Sequence, residues 1–169
     1  MKAQELLRAQ FEMAHQFMEM TIADCSQETL DKKPDEWTIN PVGALYAHTV
    51  IAEDAMVNGM ARGKQPLLER DGWAEKLGID GSSPMQDEHY SELKINLPAM
   101  REFAAAVAKE TDEFLTNASE DELMKEIDAL GQKTPAIMFL ANIGLTHVAG
   151  HWGEIAALKG VQGLKGLPF

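Results

Sequence analysis

Apolar residues recur every three or four positions along four long stretches of the sequence, which is the periodicity of helices that bury one side. The pattern predicts helices over residues 2–22, 41–61, 97–115 and 135–160. No segment alternates between apolar and polar residues for long enough to predict a sheet. We therefore predict an all-α fold in which residues 1–169 form one domain, a four-helix up-down-up-down bundle with a long connection between the second and third helices.

Two of the predicted helices carry recognisable start and stop signals. Thr134 is a favourable N-cap, and Pro135 suits the first position of the fourth helix, where no backbone N–H is needed. Gly160 supplies a C-terminal stop for the same helix. Asn40 or Thr38 is the predicted cap of the second helix.

Two later starts are also marked by local chemistry. Asn96 is the predicted cap of the third helix, and Ser119-Glu120-Asp121-Glu122 is a capping-box pattern that opens a short turn. The boundaries therefore rest on local chemistry as well as on periodicity.

The connection between the second and third helices has no clear periodicity. Glycine and proline interrupt residues 62–96 repeatedly, and a short helix is predicted only from Trp73 onward. A connection of this length in a small domain is usually a functional cover or a disordered link. Trp73, Met85 and Tyr90 favour a packed cover, and His89 in the same segment is a candidate fourth metal ligand.

Two histidines lie four residues apart in the predicted fourth helix. His147 and His151 are separated by about 40° around the helix and about 6 Å along it, so both side chains leave the same face. That face carries the apolar stripe and should point into the core. A single buried histidine is usually a hydrogen-bonded core residue, but two on one stripe need more partners, and a shared cation satisfies both. The spacing predicts a metal site, with hydrogen-bonded core histidines and no metal as the alternative.

His48 is the candidate third ligand. It shares a face of the predicted second helix with Ala44, Ala52 and Ala55, which either leave room for an ion and a ligand or allow close helix approach. All helices of a bundle face one core, so the three imidazoles can meet there. Three histidines with an open position are the arrangement of catalytic zinc. Because imidazole binds several metals, we predict a divalent ion, zinc or nickel first, with iron, manganese or copper as alternatives.

Glu154 lies one turn beyond His151 on the ligand face and is the candidate catalytic residue. It could accept a proton from metal-bound water or thiol, or orient the second ring nitrogen of a ligand. The alternative is an exposed carboxylate near the end of the bundle. Val148 occupies the position at which a zincin carries its glutamate, which argues against a peptidase. His15 lies on the charged side of the first helix, and we interpret it as a surface residue.

The composition excludes several classes of function. The chain of 169 residues has 15 Lys plus Arg against 27 Asp plus Glu, and its net charge of −12 opposes binding to nucleic acid. Its single cysteine, Cys25, cannot form an internal disulfide and fits a reducing compartment, where we interpret it as an inert thiol. No segment has the apolar run of a signal peptide or a membrane span. We therefore predict a cytoplasmic protein with no nucleic-acid or membrane partner.

Two segments of the sequence resemble one known family. Residues 37–48 place a tryptophan and a hydroxyl residue ahead of the first histidine, and residues 147–155 contain the paired histidines. Both segments are similar to the corresponding parts of DinB-like proteins. The resemblance implies a four-helix bundle in which His48, His147 and His151 hold a divalent metal.

Members of this family include thiol S-transferases, which couple low-molecular-weight thiols such as bacillithiol to electrophiles, and mycothiol-dependent isomerases. The resemblance therefore implies a small-molecule substrate, possible use of such a thiol, and a homodimer. We predict a metal-dependent enzyme of thiol S-transferase or hydrolase type, in which the metal lowers the pKa of a bound thiol or water while residues 63–96 close over the substrate. A non-catalytic stress-response module that binds a metal or small ligand is the alternative.

Two details bear on how far the resemblance extends. Glu154 stands where the family commonly has glutamine, so a carboxylate here alters the surroundings of the expected ligands. The C-terminal tail is the second detail, because its Leu167 and Phe169 could contact a partner subunit or pack back on the bundle.

Overall fold

The computed structural model describes residues 2–33, 36, 38–79, 93–129 and 131–169. Four residues that entered the sequence analysis lie outside these ranges, namely Trp37, Met85, His89 and Tyr90. The prediction of a fourth ligand at His89 therefore stays a prediction. So does the part of the predicted cover that depends on Met85 and Tyr90.

The described chain is mostly helical, and the four long helices expected from periodicity are present. The helices are α1 (Ala3–Ile22), α2 (Gln27–Asp31), α3 (Val42–Asp54), α4 (Leu67–Arg70), α5 (Trp73–Leu77), α6 (Leu97–Asn117), α7 (Glu120–Met124), α8 (Ala136–Phe139) and α9 (Leu145–Val161). A π-helical segment, Ala55–Ala61, continues α3, and a second one, Leu140–Gly144, joins α8 to α9. The two helices that carry the candidate ligands are thus each longer than their α-helical parts.

The four long helices pack side by side. Helix α1 contacts α6 and α9, while α3 contacts the same two helices. Their apolar stripes meet in the interior, where Phe11, Tyr46 and Phe103 have at most 1% of their surface exposed. Burial of large side chains such as these contributes about 1.5–3 kcal/mol each to folding. Among the described helices, none is both long enough and apolar enough to cross a lipid bilayer.

Local capping explains where α6 and α7 begin. The Asn96 side chain accepts a hydrogen bond from the backbone N–H of Ala99 at 3.1 Å, so it caps α6. Ser119 and Glu122 form a capping box, in which each side chain accepts from the backbone N–H of the other. Both starts were visible in the sequence because the caps act within one turn.

The connection after α3 packs on the bundle over its described part. Helix α5 contacts α6, and the ring of Trp73 lies 5.4 Å from that of Phe103. The Lys76 ammonium lies 4.2 Å from the centre of the Trp73 ring. The described beginning of this connection is therefore a packed structure, as Trp73 suggested.

A short β-hairpin corrects the prediction of an entirely helical chain. Strand β1 (Glu126–Ala129) pairs in antiparallel register with β2 (Gln132–Pro135), so that Ile127 lies opposite Thr134. Each strand has four residues, which is too short for an alternating pattern to stand out. Gly131, at φ +77°, supplies the left-handed turn residue between the strands.

Both predicted N-caps move by one to three residues. Pro135 is the N-cap of α8 and Pro41 is the N-cap of α3, so Thr134, Thr38 and Asn40 do not cap these helices. Both prolines have extended ψ angles, 140° and 155°, although their φ angles suit a helix. The proline ring restricts φ but leaves ψ free, so the sequence did not distinguish a cap from a first helical residue.

The predicted stop at Gly160 is also wrong, because α9 continues to Val161. The N–H of Gly163 donates to the carbonyl of Gly160, and the N–H of Leu164 donates to that of Lys159, both at 3.0 Å. Gly163 adopts φ +82°, which completes a Schellman motif. Gly163 therefore ends the helix, and Gly160 lies inside it.

Alanine substitutions at the two glycines should have opposite effects on stability. Gly163→Ala is expected to cost about 1 kcal/mol, because a Cβ disfavours the left-handed conformation. Gly160→Ala is expected to gain up to about 0.5 kcal/mol by reducing the freedom of the unfolded chain. A Cβ at either position meets no atom within 4 Å, so packing does not complicate the comparison. Urea unfolding of both variants measures the difference, and a loss of stability in Gly160→Ala would contradict this assignment.

The C-terminal tail packs against the same chain. The ring of Phe169 lies 5.2 Å from that of Phe17 on α1 and 6.2 Å from that of Trp152 on α9. The indole N–H of Trp152 donates to the Thr21 hydroxyl at 2.7 Å and joins the two helices below the tail. Phe169 therefore contacts the bundle, but it is still 68% exposed, and a contact of the tail with a partner subunit stays a prediction.

Candidate metal centre

The three histidines identified from the sequence lie together. His48 is on α3, whereas His147 and His151 are on α9, which packs directly against α3. The Nε2 atoms of His48 and His147 are 3.1 Å apart. One ring nitrogen from each histidine lies within 4.8 Å of the others, and all three side chains are partly buried. Two segments separated by 99 residues thus bring three imidazoles to one point.

A π-helical turn precedes the paired histidines and affects their direction. Leu140–Gly144 holds more residues per turn than an α-helix, so it rotates the following side chains around the axis. Gly144 lies close to α1, since a Cβ there would be 3.4 Å from Cζ of Phe11. The Thr146 hydroxyl donates to the carbonyl of Asn142 at 2.5 Å. Periodicity did not reveal this turn, because the sequence has no proline or repeat that marks a change of pitch.

The cluster keeps the imidazole of His147 neutral. The pKa of His147 is lowered to about 4, first by burial and then by the neighbouring His151 and His48. At neutral pH this ring therefore carries no charge and offers a lone pair, which is the form that binds a metal. Neutral histidines can also hydrogen-bond to one another, so this property alone does not separate the two interpretations.

The geometry fits a shared cation. Two nitrogen ligands at about 2.05 Å from one ion are about 2.9 Å apart at a right angle and about 3.4 Å apart at the tetrahedral angle. The observed 3.1 Å separation lies between these values. The Nδ1 atom of His147, on the other side of the ring, is buried and has no hydrogen-bond partner within the described part of the chain, so it does not contribute to the shared site.

Glu154 contacts one of the three histidines. Its Oε2 accepts a hydrogen bond from Nδ1 of His151 at 2.6 Å, and the carboxylate side chain is 44% exposed. A donor at Nδ1 leaves Nε2 of His151 with the lone pair and holds the ring in one orientation. The contact matches one of the roles considered for Glu154, that of orienting a ligand. Its predicted catalytic role stays a prediction.

His15 is not the surface residue that its position on the charged side of the first helix suggested. Its Nε2 lies 2.9 Å from both carboxylate oxygens of Glu53, and Glu53 is only 3% exposed. The Thr111 hydroxyl donates to the same carboxylate at 2.7 Å. Apart from His48 and Thr49, helix α3 has no strongly polar side chain before Glu53, so an acidic residue in that stretch was the signal that could have indicated a buried partner.

The ion pair predicts how stability depends on pH. Burial opposes protonation of His15, but the charge and hydrogen bond of Glu53 exceed this effect, and the pKa of His15 is raised above 6.5. A histidine with a higher pKa in the folded chain adds stability below its unfolded pKa and loses it as the pH rises through the folded value. The stability difference between wild type and His15→Gln should therefore be largest below pH 6.5 and shrink above it. Unfolding by urea across this range tests the sign, and a difference that grows with pH would contradict it.

Cys25 shows no sign of activation. The thiol is partly buried, and this burial is the main cause that raises its pKa above the usual value. Nearby Asp24 also raises the pKa of Cys25, whereas Lys159 lowers it. A thiol with a raised pKa is a poor nucleophile at neutral pH, which agrees with the interpretation of Cys25 as inert.

Comparisons with known proteins agree with this architecture. The family model described as the DinB superfamily matches residues 10–155, a range that contains all three histidines. The crystal structure of a conserved protein of a locus from Enterococcus faecalis superposes with a TM-score of 0.82. The superposition covers 96% of this chain and 99% of that chain at 21% sequence identity, so it shows a shared fold alone. No curated protein matches the sequence significantly.

Proposed function

Because the chain belongs to the DinB superfamily, we propose that it is a metal-dependent enzyme that holds one divalent cation on His48, His147 and His151. The observation that carries the proposal is the close approach of three partly buried imidazoles. The Nε2 atoms of His48 and His147 lie at a separation suited to a shared ion. We also propose the up-down-up-down order for the four long helices, which the contacts of α1 and α3 with α6 and α9 support.

The residues of the chain have separate tasks in this proposal. His48 and His147 present Nε2 to the cation, and Glu154 fixes the ring of His151 so that its Nε2 faces the same point. Three protein ligands leave a coordination position for a substrate atom. When bound there, a divalent cation lowers the pKa of a thiol or water and so supplies a nucleophile at neutral pH. All-imidazole ligation supports zinc or nickel, with iron, manganese or copper as further candidates.

Thiol S-transfer is the reaction that we place first, with hydrolysis second. The support for thiol transfer is the resemblance of the two histidine segments to DinB-like proteins. The proposed substrate is accordingly a small molecule, which thiol transfer would join to a low-molecular-weight thiol. A non-catalytic module that binds a metal or a small ligand in a stress response is the competing function.

A product assay separates these functions. Protein loaded with zinc or nickel is incubated with a low-molecular-weight thiol and a panel of electrophiles, and conjugates are measured by mass spectrometry against the His147→Ala variant. Conjugates formed only by the loaded wild type support thiol transfer, and release from simple esters or amides supports hydrolysis. Loaded protein that binds its metal but turns over neither class supports the binding module.

Replacing Glu154 by glutamine should weaken metal binding moderately. Glutamine keeps the size of the side chain but holds Nδ1 of His151 through a neutral acceptor, so we expect about tenfold weaker affinity. Competition with a chelator measures the change. Glu102→Gln, at an exposed position of α6, is the matched control and should bind as wild type does. Equal affinities in the two variants would exclude an orienting role for Glu154.

The family resemblance and the charge of the chain also bear on its cellular context. We propose a cytoplasmic homodimer that has no nucleic-acid or membrane partner, following the family resemblance for the dimer and the net charge of −12 for the absence of nucleic acid. Sedimentation analysis of the purified protein tests the dimer directly.

A further inference from the structure

A second polar cluster lies between α1, α3 and α6 and has no place in the proposed metal chemistry. A cavity of about 300 Å³ separates two sets of polar contacts there. At one side, His15 pairs with Glu53. At the other, the carboxylate of Glu19 accepts from the Tyr46 hydroxyl and from Nε of Arg101. None of the three clustered histidines lines this cavity.

Small side chains create the space. Helix α6 presents Ala104, Ala105 and Ala108 to the cavity, while Val50, Val107 and Val148 form further apolar wall. The space opens to solvent beside Arg101, which is 43% exposed, so a ligand can enter from outside. The volume lies at the lower end of the range for small-molecule sites. An apolar wall with a few buried polar groups is also typical of such sites.

The charges in the cavity favour a cation. Glu19 and Glu53 contribute two carboxylates, against the guanidinium of Arg101 and a histidine that titrates. Burial is the largest single influence on the pKa of His15 and lowers it. Together the carboxylates of Glu53, Glu19 and Asp112 exceed this effect and raise the pKa. A protonated His15 pairs with Glu53 as Arg101 pairs with Glu19, so these four groups then balance; when His15 is neutral, one carboxylate is left uncompensated and favours a cationic ligand.

Glu53 has an oxygen available for a ligand. Its Oε1 accepts from both Thr111 and His15, whereas Oε2 contacts only His15 among the described residues. A carboxylate oxygen accepts two hydrogen bonds readily, so Oε2 has capacity for one more donor. The residue is 3% exposed, so a charged hydrogen bond here is shielded from solvent.

We propose that this cavity binds a small organic ammonium ion, with its charged nitrogen donating to Oε2 of Glu53 and its apolar body against the alanine and valine side chains. The ligand class follows from an apolar wall of limited size and a buried carboxylate. This site shares none of the residues proposed to bind the metal, although the charge of Glu53 also acts on His147.

Titration of isotope-labelled protein with benzylammonium, followed by amide NMR shifts, tests the proposal. Saturable shifts should concentrate around His15, Val50 and Ala104, with a dissociation constant on the order of millimolar for so small a ligand. Benzyl alcohol and benzoate share the ring but lack the positive charge, and both should bind at least about tenfold more weakly. Absence of saturable shifts at these positions, or equal binding of the three probes, would overturn the proposal.

Four variants locate the site. Glu53→Gln should weaken benzylammonium binding about tenfold or more, whereas the exposed control Glu102→Gln should not change it. Ala104→Leu fills the cavity and should abolish binding while the protein stays folded, which keeps the test decisive if Glu53→Gln fails to fold. His147→Ala should bind benzylammonium as wild type does. Loss of binding in that variant would place the amine on the metal cluster, and unchanged binding by Ala104→Leu would place it outside the cavity.

Discussion

Replacing His147 by alanine is expected to abolish stoichiometric metal binding. Wild-type protein purified without a histidine tag and loaded with zinc or nickel should retain about one ion per chain. Removing one of three ligands should weaken binding by more than about 100-fold, because loss of even an outer-shell partner costs 10- to 100-fold. The partly buried position of all three histidines means that water replaces the lost ligand poorly.

Metal analysis and thermal unfolding measure this effect together. A ligand at a free concentration about 100 times its dissociation constant stabilises the folded chain by about 2.7 kcal/mol, so added metal should raise the unfolding temperature of wild type but not of His147→Ala. His15→Gln is the matched control, because His15 lies outside the cluster and pairs with Glu53 instead. Metal retention by His147→Ala equal to that of wild type would eliminate the three-histidine site. Wild type that binds no metal under any loading would leave the histidines as hydrogen-bonded core residues.

Replacing Asp54 by alanine should destabilise the protein by about 2–5 kcal/mol. The Asp54 side chain is fully buried, at 0% exposure, and caps α4 from a distant position on α3. Its Oδ1 accepts from the N–H of Leu67 at 3.0 Å and from Nδ2 of Asn58 at 2.7 Å, while Oδ2 accepts from the N–H of Leu68 at 2.8 Å. Alanine leaves the two backbone N–H groups without an acceptor, and each costs about 1–3 kcal/mol when buried.

Urea unfolding of two companion variants identifies the cause. Asp54→Asn keeps one side-chain oxygen and should lose less stability than Asp54→Ala. Asp71→Ala removes a 43%-exposed carboxylate that pairs with Arg70 and should change stability by less than about 0.5 kcal/mol. Similar losses in Asp54→Ala and Asp71→Ala would show that the buried cap contributes nothing special. The expected loss would show that α3 holds the beginning of the long connection in place.

These two predictions depend on different kinds of information. The paired histidines were visible because residues four apart on a helix share a face wherever that helix lies. The cap of α6 at Asn96 and the capping box at Ser119 were visible for the same reason, since both act within one turn. The Asp54 side chain instead accepts from backbone N–H groups that lie 13 and 14 positions later in the chain. No local rule predicts the turn that brings them together.

The errors in the helix boundaries arise because residue type does not fully specify the backbone conformation at a helix end. Pro41 and Pro135 precede their helices because their ψ angles are extended, and proline restricts only φ. Gly160 and Gly163 are both plausible stops by residue type. Only the hydrogen bonds of the last turn show that Gly163 takes the left-handed conformation.

By itself the sequence determined the helical character of most of the chain, the shared face of His147 and His151, and an inward direction for His48, because periodicity and spacing are properties of single helices. The packing of α3 against α9 decided that three imidazoles meet at one point. Packing also turned His15 toward Glu53 and opened the cavity beside them. A helical wheel shows which residues share a face but not which neighbour that face meets, so contacts between distant segments required the tertiary structure.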